Sequence, residues 1–193
     1  NRLLAESKGL PSSSFEFVPV LFNYRDLNIQ YFMNSASNLG YSNTLKYGEI
    51  LNINGIEYLL TNYRALIYDV EKSILNKNVL QHFNTAKECE IIKQHFKVFL
   101  YKVDLPTRSQ MVRHRISWQE LSRRYVSAKR VPFEFYVSDK LKENQKVKDL
   151  IKQSEDLYFE LLENGVKPQE ARRVIPQMGY TQIWGAFMPK QLD

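Results

Sequence analysis

Basic residues are concentrated in one stretch of the chain, and this concentration restricts how that stretch can fold. Ten of the 27 Lys and Arg residues lie between Lys93 and Arg130, where only Asp104 and Glu120 oppose them, so residues 93–130 carry a net charge of +8. The whole 193-residue chain carries +6, so the remainder is slightly acidic. Apolar residues are interleaved with these arginines, and a partly buried arginine needs an anionic partner. We refer to residues 93–130 as the basic stretch and predict that it binds an anionic ligand.

The composition is typical of a globular protein in a reducing compartment. Apolar residues make up 44% and aromatic residues 13%, which excludes a disordered chain. Cys89 is the only cysteine, which excludes a disulfide scaffold. No apolar run approaches the roughly 18 residues of a membrane span, and no signal peptide follows Arg2. We expect a cytoplasmic protein with no membrane partner, whose natural chain extends beyond both ends of this sequence.

Hydrophobic periodicity predicts helices alternating with short strands. The predicted strands are Phe15–Phe22, Phe96–Val103, Phe133–Val137 and Tyr180–Met188, with Pro19 placing the first at a sheet edge. The predicted helices are Ile56–Ser73, Val79–Gln94, Thr107–Ile116, Asp139–Asn164 and Pro168–Val174. Asn54-Gly55 predicts a turn. Together these elements predict an α+β fold in which a mixed sheet is covered by helices.

The segment Gln110–Tyr125 (QMVRHRISWQELSRRY) holds the densest group of potential ligand-binding side chains. Arginine binds phosphate through two parallel hydrogen bonds, and neighbouring serine hydroxyls can add further donors. The carboxylate of Glu120 can orient a polar ring by accepting hydrogen bonds. The segment therefore predicts a site for a phosphorylated ligand that contains a ring. The alternative is a solvated basic face on a helix.

The same residues resemble the signature of the flavin-dependent thymidylate synthases. That signature is Arg-His-Arg, seven residues and a Ser, continuing to Arg-Tyr. Here Arg113-His114-Arg115 is followed by Ser122 and by Arg124-Tyr125, and Gln110 stands three residues before Arg113, as the family's Gln does. Further similar segments are Pro132–Tyr136, Asn164–Val166, Glu170–Pro176 and Tyr180-Thr181. The resemblance covers Phe96–Leu192 and identifies the chain as a diverged member of the family.

The chain departs from the family pattern in three places. Only six residues separate Arg115 from Ser122, one fewer than usual. Met188-Pro189-Lys190 stands where the family usually has Asn-Ala-Arg. A further nucleotide-binding arginine would lie beyond Asp193. We therefore expect residues 1–45 to be an N-terminal extension of unknown role, and residues 46–193 to be a family-like domain truncated at its C-terminus.

The resemblance implies an enzyme that converts dUMP to dTMP, with methylenetetrahydrofolate as carbon donor and NADPH-reduced FAD as hydride source. Members of the family use no cysteine nucleophile and form a homotetramer whose active sites combine residues from several chains. A synthase that uses folate alone would need a nucleophilic cysteine, and Cys89 is distant from the signature in sequence.

The resemblance also assigns roles to individual residues. The implied flavin contacts are Gln110, Arg113, His114, Arg115 and His95. The implied dUMP contacts are Glu120, Ser122, Arg123, Arg124 and Arg172, with Arg124 on the phosphate. Arg113, Glu120 and Ser122 are the implied catalytic residues, and Ser122 acts by positioning rather than by nucleophilic attack. No metal site is predicted.

Two other functions stay open on the sequence. A diverged family member could bind flavin or nucleotide without turnover, as the shortened signature and Met188-Pro189-Lys190 suggest. A nucleic-acid-binding protein could use the +8 charge of the basic stretch, and its affinity would then fall steeply with salt. We predict no nucleic-acid partner, because the charge is local rather than spread over a broad surface.

Overall fold

The computed structural model describes residues 13–23, 34–35, 40–85, 89–114, 116–123 and 126–191. The strands are β1 (Pro19–Asn23), β2 (Glu49–Ile53), β3 (Ile56–Asn62), β4 (Asn84–Thr85), β5 (Lys97–Asp104), β6 (Ser117–Glu120) and β7 (Tyr180–Phe187). The helices are α1 (Asn43–Lys46), α2 (Tyr63–Glu71), α3 (Glu90–His95), α4 (Leu105–Met111), α5 (Gln145–Glu163) and α6 (Pro168–Ala171). Short 3-10 segments are Ser13–Phe17, Lys77–Gln81, Arg172–Val174 and Pro189–Gln191. The predicted α+β class is confirmed.

The chain divides into two compact units. The first unit contains the residues up to Val98 and those from Ala186 onward, and the second contains Phe99–Gly185. The strands form two sheets rather than one, a four-stranded sheet in the order β2-β3-β1-β4 and a three-stranded sheet in the order β5-β7-β6. No helix in the described ranges is both long and apolar enough to cross a bilayer.

The sheet of the first unit is antiparallel and begins with a tight hairpin. Strands β2 and β3 are joined by Asn54-Gly55, whose φ angles are +53° and +79°. Two successive positive φ angles match the twist of the flanking strands, and Asn-Gly is the dipeptide that adopts them at least cost. The predicted turn is therefore confirmed.

The same sheet is apolar on both faces. Leu59 packs in a cluster that includes Val20 and Leu66, whereas its neighbour Leu60 packs in a second cluster with Ile92 and Met188. Successive side chains of a strand point to opposite faces, so both faces of β3 are covered. A strand covered on both faces shows a continuous apolar run instead of an alternation.

This two-sided burial explains why the predicted helix Ile56–Ser73 is wrong in its first half. Residues 56–62 form β3, and the helix begins only at Tyr63. The apolar residues of a doubly buried strand also happen to match the spacing of a helix. Asn62 marks the boundary, because its side chain caps α2 by accepting a hydrogen bond from the backbone N–H of Ala65 (2.9 Å).

Two other predictions in the first unit need correction. Strand β1 lies between β3 and β4 and is not an edge strand. Pro19 is tolerated because it is the first residue of β1. The predicted helix Val79–Gln94 is replaced by the 3-10 segment Lys77–Gln81, β4 and α3.

The second unit is built around helix α5. Tyr158 of α5 is buried together with Ala128 and Ala171, and its hydroxyl accepts a hydrogen bond from the Ala128 N–H (3.2 Å). Phe133 packs edge-on against Tyr158 with 4.8 Å between ring centroids. Leu150 and Leu157 of α5, by contrast, are 51% and 42% exposed.

Most of the predicted elements of the second unit are present, with shifted or shorter bounds. The strand predictions Phe96–Val103 and Tyr180–Met188 correspond to β5 and β7, and the helix predicted at 139–164 begins later, after the cap residue Asn144. The helix predicted at 107–116 is α4, which ends at Met111. The predicted strand Phe133–Val137 is wrong, because it is reduced to a single bridge between Phe135 and Gly179.

A fully buried carboxylate organises part of the first unit. Asp69 of α2 is 0% exposed and accepts hydrogen bonds from the Ser42 hydroxyl (2.7 Å) and from the backbone N–H groups of Asn43 (2.9 Å) and Thr44 (2.8 Å). The orphan N–H groups at the start of α1 are thereby satisfied by a side chain of another helix.

We predict that Asp69→Asn lowers the free energy of unfolding by about 2–4 kcal/mol, because an amide NH₂ would face donors where the carboxylate accepts. Urea denaturation measures the change. Asp149→Asn on the exposed surface of α5 is the control, with an expected change within about 0.5 kcal/mol. An Asp69→Asn protein as stable as the control would contradict this role.

Candidate functional site

The signature segment begins in helix α4, whose start and end are both fixed by local hydrogen bonds. Asp104 caps α4 by accepting from the Thr107 N–H (2.9 Å), and Pro106 occupies its first turn, where a missing N–H costs nothing. At the other end the Arg113 N–H donates to the Gln110 carbonyl (3.1 Å). The chain therefore turns at Met111, and Arg113 and His114 follow in the turn.

A second set of contacts holds this turn against strand β6. The carbonyl of His114 accepts from the Ile116 N–H (2.9 Å) and from the indole N–H of Trp118 (3.1 Å). The Trp118 ring meets Tyr101 edge-on at 6.0 Å between centroids. The position of His114 is thus fixed by its backbone, which leaves the imidazole itself exposed.

Four of the residues predicted to contact a ligand have exposed side chains that the described part of the fold does not use. Gln110, Arg113, His114 and Ser122 lie in the second unit with exposed side chains. Within the described ranges, no hydrogen bond or ion pair engages these side chains. Their donors are therefore available to a ligand. Arg115 and Arg124, which share the predicted roles, lie outside the described residues, as does Tyr125.

Glu120 is held by two residues that the sequence did not single out. Arg108 of α4 donates to Glu120 Oε2 through Nε (2.9 Å) and through Nη2. The hydroxyl of Thr181 on β7 donates to Oε1 (3.2 Å). Strand β6 is further tied to β7 where the Leu121 N–H donates to the Gln182 carbonyl (2.9 Å). Both carboxylate oxygens of Glu120 are therefore fixed in direction.

Arg123 makes contacts within its own loop. Its guanidinium donates to the carbonyls of Val131 and Pro132 (Nη2 to the latter, 3.0 Å) and lies over the Phe133 ring at 4.8 Å from the centroid. Burial lowers the pKa of the Arg123 guanidinium from its ordinary value, although Tyr158 and Glu134 act in the opposite direction. These contacts give Arg123 a role in folding the loop, and its predicted contact with the nucleotide stays a prediction.

Two other residues that are predicted to contact a ligand form hydrogen bonds that do not involve Glu120. Arg172 is exposed, and its Nε donates to the Gln169 carbonyl (3.3 Å) within the helical segment that packs on α5. His95 is the last residue of α3 in the first unit, and its Nδ1 lies 2.9 Å from the carbonyl of Ile91. Their predicted ligand contacts stay predictions.

The partners of Glu120 had only weak sequence signals. Arg108 was counted in the charge of the basic stretch, and Thr181 formed part of the similar pair Tyr180-Thr181. Neither position indicates a partner 12 or 61 residues away along the chain. In the described part of the chain, no group of three or more His, Cys, Asp or Glu side chains is arranged to hold a metal ion.

Comparison with known proteins identifies the family. The family model described as "Thymidylate synthase complementing protein" matches residues 59–187, about two thirds of the chain. This chain belongs to that family. The match begins well before the resemblance predicted from the sequence, at Leu59 rather than Phe96, so it includes most of β3 as well as α2.

A curated relative carries the name expected from the signature. The chain is 36% identical over 119 residues to the flavin-dependent thymidylate synthase of Thermosipho africanus (strain TCF52B), a match that covers 49% of this chain and 51% of the relative. The chain thus spans about half the length of the curated relative it matches. The predicted family resemblance is confirmed.

Two solved structures are also similar to this family member. Both are of the UMP/dUMP methylase PolB from Streptomyces cacaoi, one bound with 5-Br UMP and the other with 5-Br dUMP. The first has a TM-score of 0.44 at 21% identity and covers 50% of this chain and 53% of the other. The second has a TM-score of 0.42 at 22% identity and covers 50% and 51%.

We predict that Arg123→Met lowers the free energy of unfolding by about 1–3 kcal/mol, because two carbonyls and an aromatic face lose their cationic partner. The exposed Arg130 of the same basic stretch provides the matched control Arg130→Met, expected to stay within about 0.5 kcal/mol of the parent protein. Urea denaturation compares the two. Equal stability of both variants would show that the Arg123 contacts do not support the loop.

Proposed function

We propose that this protein is a flavin-dependent thymidylate synthase that converts dUMP to dTMP, with methylenetetrahydrofolate as carbon donor and NADPH-reduced FAD as hydride source. The observation that carries the proposal is the arrangement around Glu120. A carboxylate fixed by Arg108 and Thr181 follows a turn that exposes the uncommitted donors of Arg113 and His114. Membership of the family supports the same activity.

The exposed donors fit the chemistry of a flavin dinucleotide. FAD presents a pyrophosphate and a ring edge rich in acceptors, and guanidinium, imidazole and amide groups supply the matching hydrogen bonds. In the proposal Gln110, Arg113 and His114 hold the flavin together with Arg115. When bound, the reduced flavin supplies the hydride that completes the new methyl group.

The proposed nucleotide contacts lie on β6 and in the loop after it, where Glu120 supplies an acceptor and Ser122 a donor. Glu120 accepts a hydrogen bond from the pyrimidine ring, and the exposed Ser122 hydroxyl donates to the nucleotide. Arg124 binds the phosphate, and Arg123 and Arg172 are further contacts with the nucleotide. Arg113, Glu120 and Ser122 are the proposed catalytic residues, because they would touch the reacting molecules.

The proposed reaction transfers one carbon without a protein nucleophile. C5 of dUMP gains the methylene carbon and loses its proton, the hydride converts the methylene to a methyl group, and tetrahydrofolate leaves. Cys89 is the only thiol of the chain, and it is half-buried against the core cluster of the first unit. A mechanism with a cysteine nucleophile would need a thiol beside the nucleotide.

We also propose a homotetramer in the cytoplasm, with active sites that combine residues from several chains. Exposed apolar side chains of the second unit support an association between copies. Phe99 and Leu100 on β5 are 42% and 54% exposed, and Leu150 and Leu157 on α5 are similarly exposed. Large apolar side chains that are this exposed in one chain are candidates for burial between copies.

One observation favours a second candidate, a family member that binds its ligands without turnover. Where the family usually has Asn-Ala-Arg, this chain has Met188-Pro189-Lys190. Met188 is buried in the core of the first unit, and the Lys190 side chain donates to the Gly48 carbonyl. The Lys190 N–H donates to Glu49 Oε2 (3.1 Å). These residues are therefore committed to packing rather than to a ligand.

The test of the proposed function begins with flavin binding. We expect the purified chain to bind FAD, with a visible absorbance band that changes when dUMP is added, and to form dTMP in the presence of NADPH and methylenetetrahydrofolate. Arg113→Ala should weaken FAD binding by about tenfold or more, since a charge-assisted pair is lost. Arg130→Ala is the matched control and should leave FAD affinity unchanged.

The outcomes separate the candidates. Flavin and dUMP binding without dTMP formation would favour the second candidate. A protein that stays colourless with FAD and binds DNA or RNA with a steep dependence on salt would contradict both and favour nucleic-acid binding.

A further inference from the structure

We propose that Arg108 is a positioning residue of the nucleotide site, which it serves by fixing the Glu120 carboxylate in the direction that accepts a ring N–H. This inference rests on the proposed function and adds a residue to it. Arg108 precedes the Gln110–Tyr125 signature segment. Its contacts with Glu120, and not a sequence motif, indicate its role.

The geometry of the pair places two donors on one oxygen. Two N–H groups of the Arg108 guanidinium, on Nε and Nη2, donate to the same oxygen of Glu120, Oε2. A guanidinium presents its donors in a rigid plane, so the two-donor contact fixes the position of Oε2. The Thr181 hydrogen bond to Oε1 then fixes the rotation of the carboxylate. A lysine at position 108 could supply charge but only one such direction.

The Arg108–Glu120 pair is less exposed to solvent than its neighbours. Side chains of Arg108 and Glu120 are 34% and 28% exposed, whereas the second unit's other described ion pairs, such as Arg173–Glu170 at 75% and 50%, are more exposed. Exposed pairs contribute little because solvent screens them. A pair shielded on both sides attracts more strongly, so Arg108–Glu120 is the best candidate in this unit for a pair that holds geometry.

The Glu120 carboxylate has few acceptor positions left. A carboxylate offers about four lone-pair directions. Arg108 uses both directions on Oε2, and the hydroxyl of Thr181, itself 3% exposed, uses one on Oε1. One direction on Oε1 therefore remains. The protein has arranged Glu120 to accept a single further hydrogen bond, which suits the one ring N–H of a uracil base.

The Arg108–Glu120 pair links two elements of the proposed site. Arg108 lies on α4, two residues before Gln110, and Glu120 ends β6, two residues before Ser122. The ion pair thus ties the element that carries the proposed flavin contacts to the element that carries the proposed dUMP contacts. Loss of Arg108 would remove the side-chain tie between Glu120 and α4, although the Trp118 bond to the His114 carbonyl would still hold the turn against β6.

A double-mutant cycle on the full chain tests the inference. The affinity for dUMP is measured by calorimetry, with FAD present, for the parent protein and for Arg108→Met, Glu120→Gln and the double variant. We expect Arg108→Met to weaken dUMP binding by about 10- to 30-fold and Glu120→Gln by at least as much. In the Glu120→Gln background, Arg108→Met should cost no more than about twofold, because its effect passes through Glu120.

Two further variants control for charge and fold. Arg108→Lys should recover part of the affinity, and it replaces Arg108→Met if that variant does not fold. Arg64→Met removes a half-exposed arginine that pairs with Glu16 in the first unit, and it should leave dUMP affinity unchanged. Urea denaturation of every variant separates loss of binding from loss of structure.

The outcomes distinguish the inference from the proposed function. A parent protein that binds dUMP, combined with unchanged affinity in Arg108→Met, overturns the inference alone. So does a full Arg108→Met effect that persists in the Glu120→Gln background. A parent protein that fails to bind dUMP overturns the proposed function and, with it, the role of Arg108. In that case the coupling between Arg108 and Glu120 could be measured only from the urea denaturation midpoints of the variants.

Discussion

The pairing of Glu120 with Arg108 is the interaction on which the candidate site depends. The basic stretch contains ten cationic residues and two acids, and one of those acids is engaged by two donors from a single guanidinium. The other acid, Asp104, caps the helix that carries Arg108. Both acids of the stretch are therefore used to build the local structure. What remains is a set of exposed cationic and amide donors without protein partners in the described ranges, which is the property expected of an anion site.

The arginines of the basic stretch differ in their surroundings in the fold, although they lie close together in the sequence. Arg123 satisfies backbone carbonyls and stacks on Phe133, and burial lowers its pKa. Arg113 is exposed and unpaired within the described residues. A sequence motif gives both the same status, since each is an arginine of the Gln110–Tyr125 signature segment. The physical difference is that a partly buried guanidinium needs its hydrogen bonds satisfied within the fold, whereas an exposed one is free to bind a ligand.

The sequence was sufficient for the fold class and for the strands β5 and β7. These are features of local pattern. It failed where tertiary contacts decide the outcome. Residues 56–62 became a strand because both faces are covered, which periodicity cannot distinguish from a helix. Thr181 was unrecognised as a partner of Glu120 because the two are 61 residues apart. Long-range pairs of this kind leave no spacing signal in a single sequence.

The central claim is that the second unit binds a uracil nucleotide with Glu120 facing the base. The most direct measurement is a crystal structure of the full chain with dUMP and FAD. The arrangement of contacts predicts a ring N–H of dUMP within hydrogen-bond distance of Glu120 Oε1, with Arg108 still on Oε2 and the phosphate among the arginines of the basic stretch. A nucleotide bound with its ring away from Glu120, or bound only at another surface, would contradict the claim.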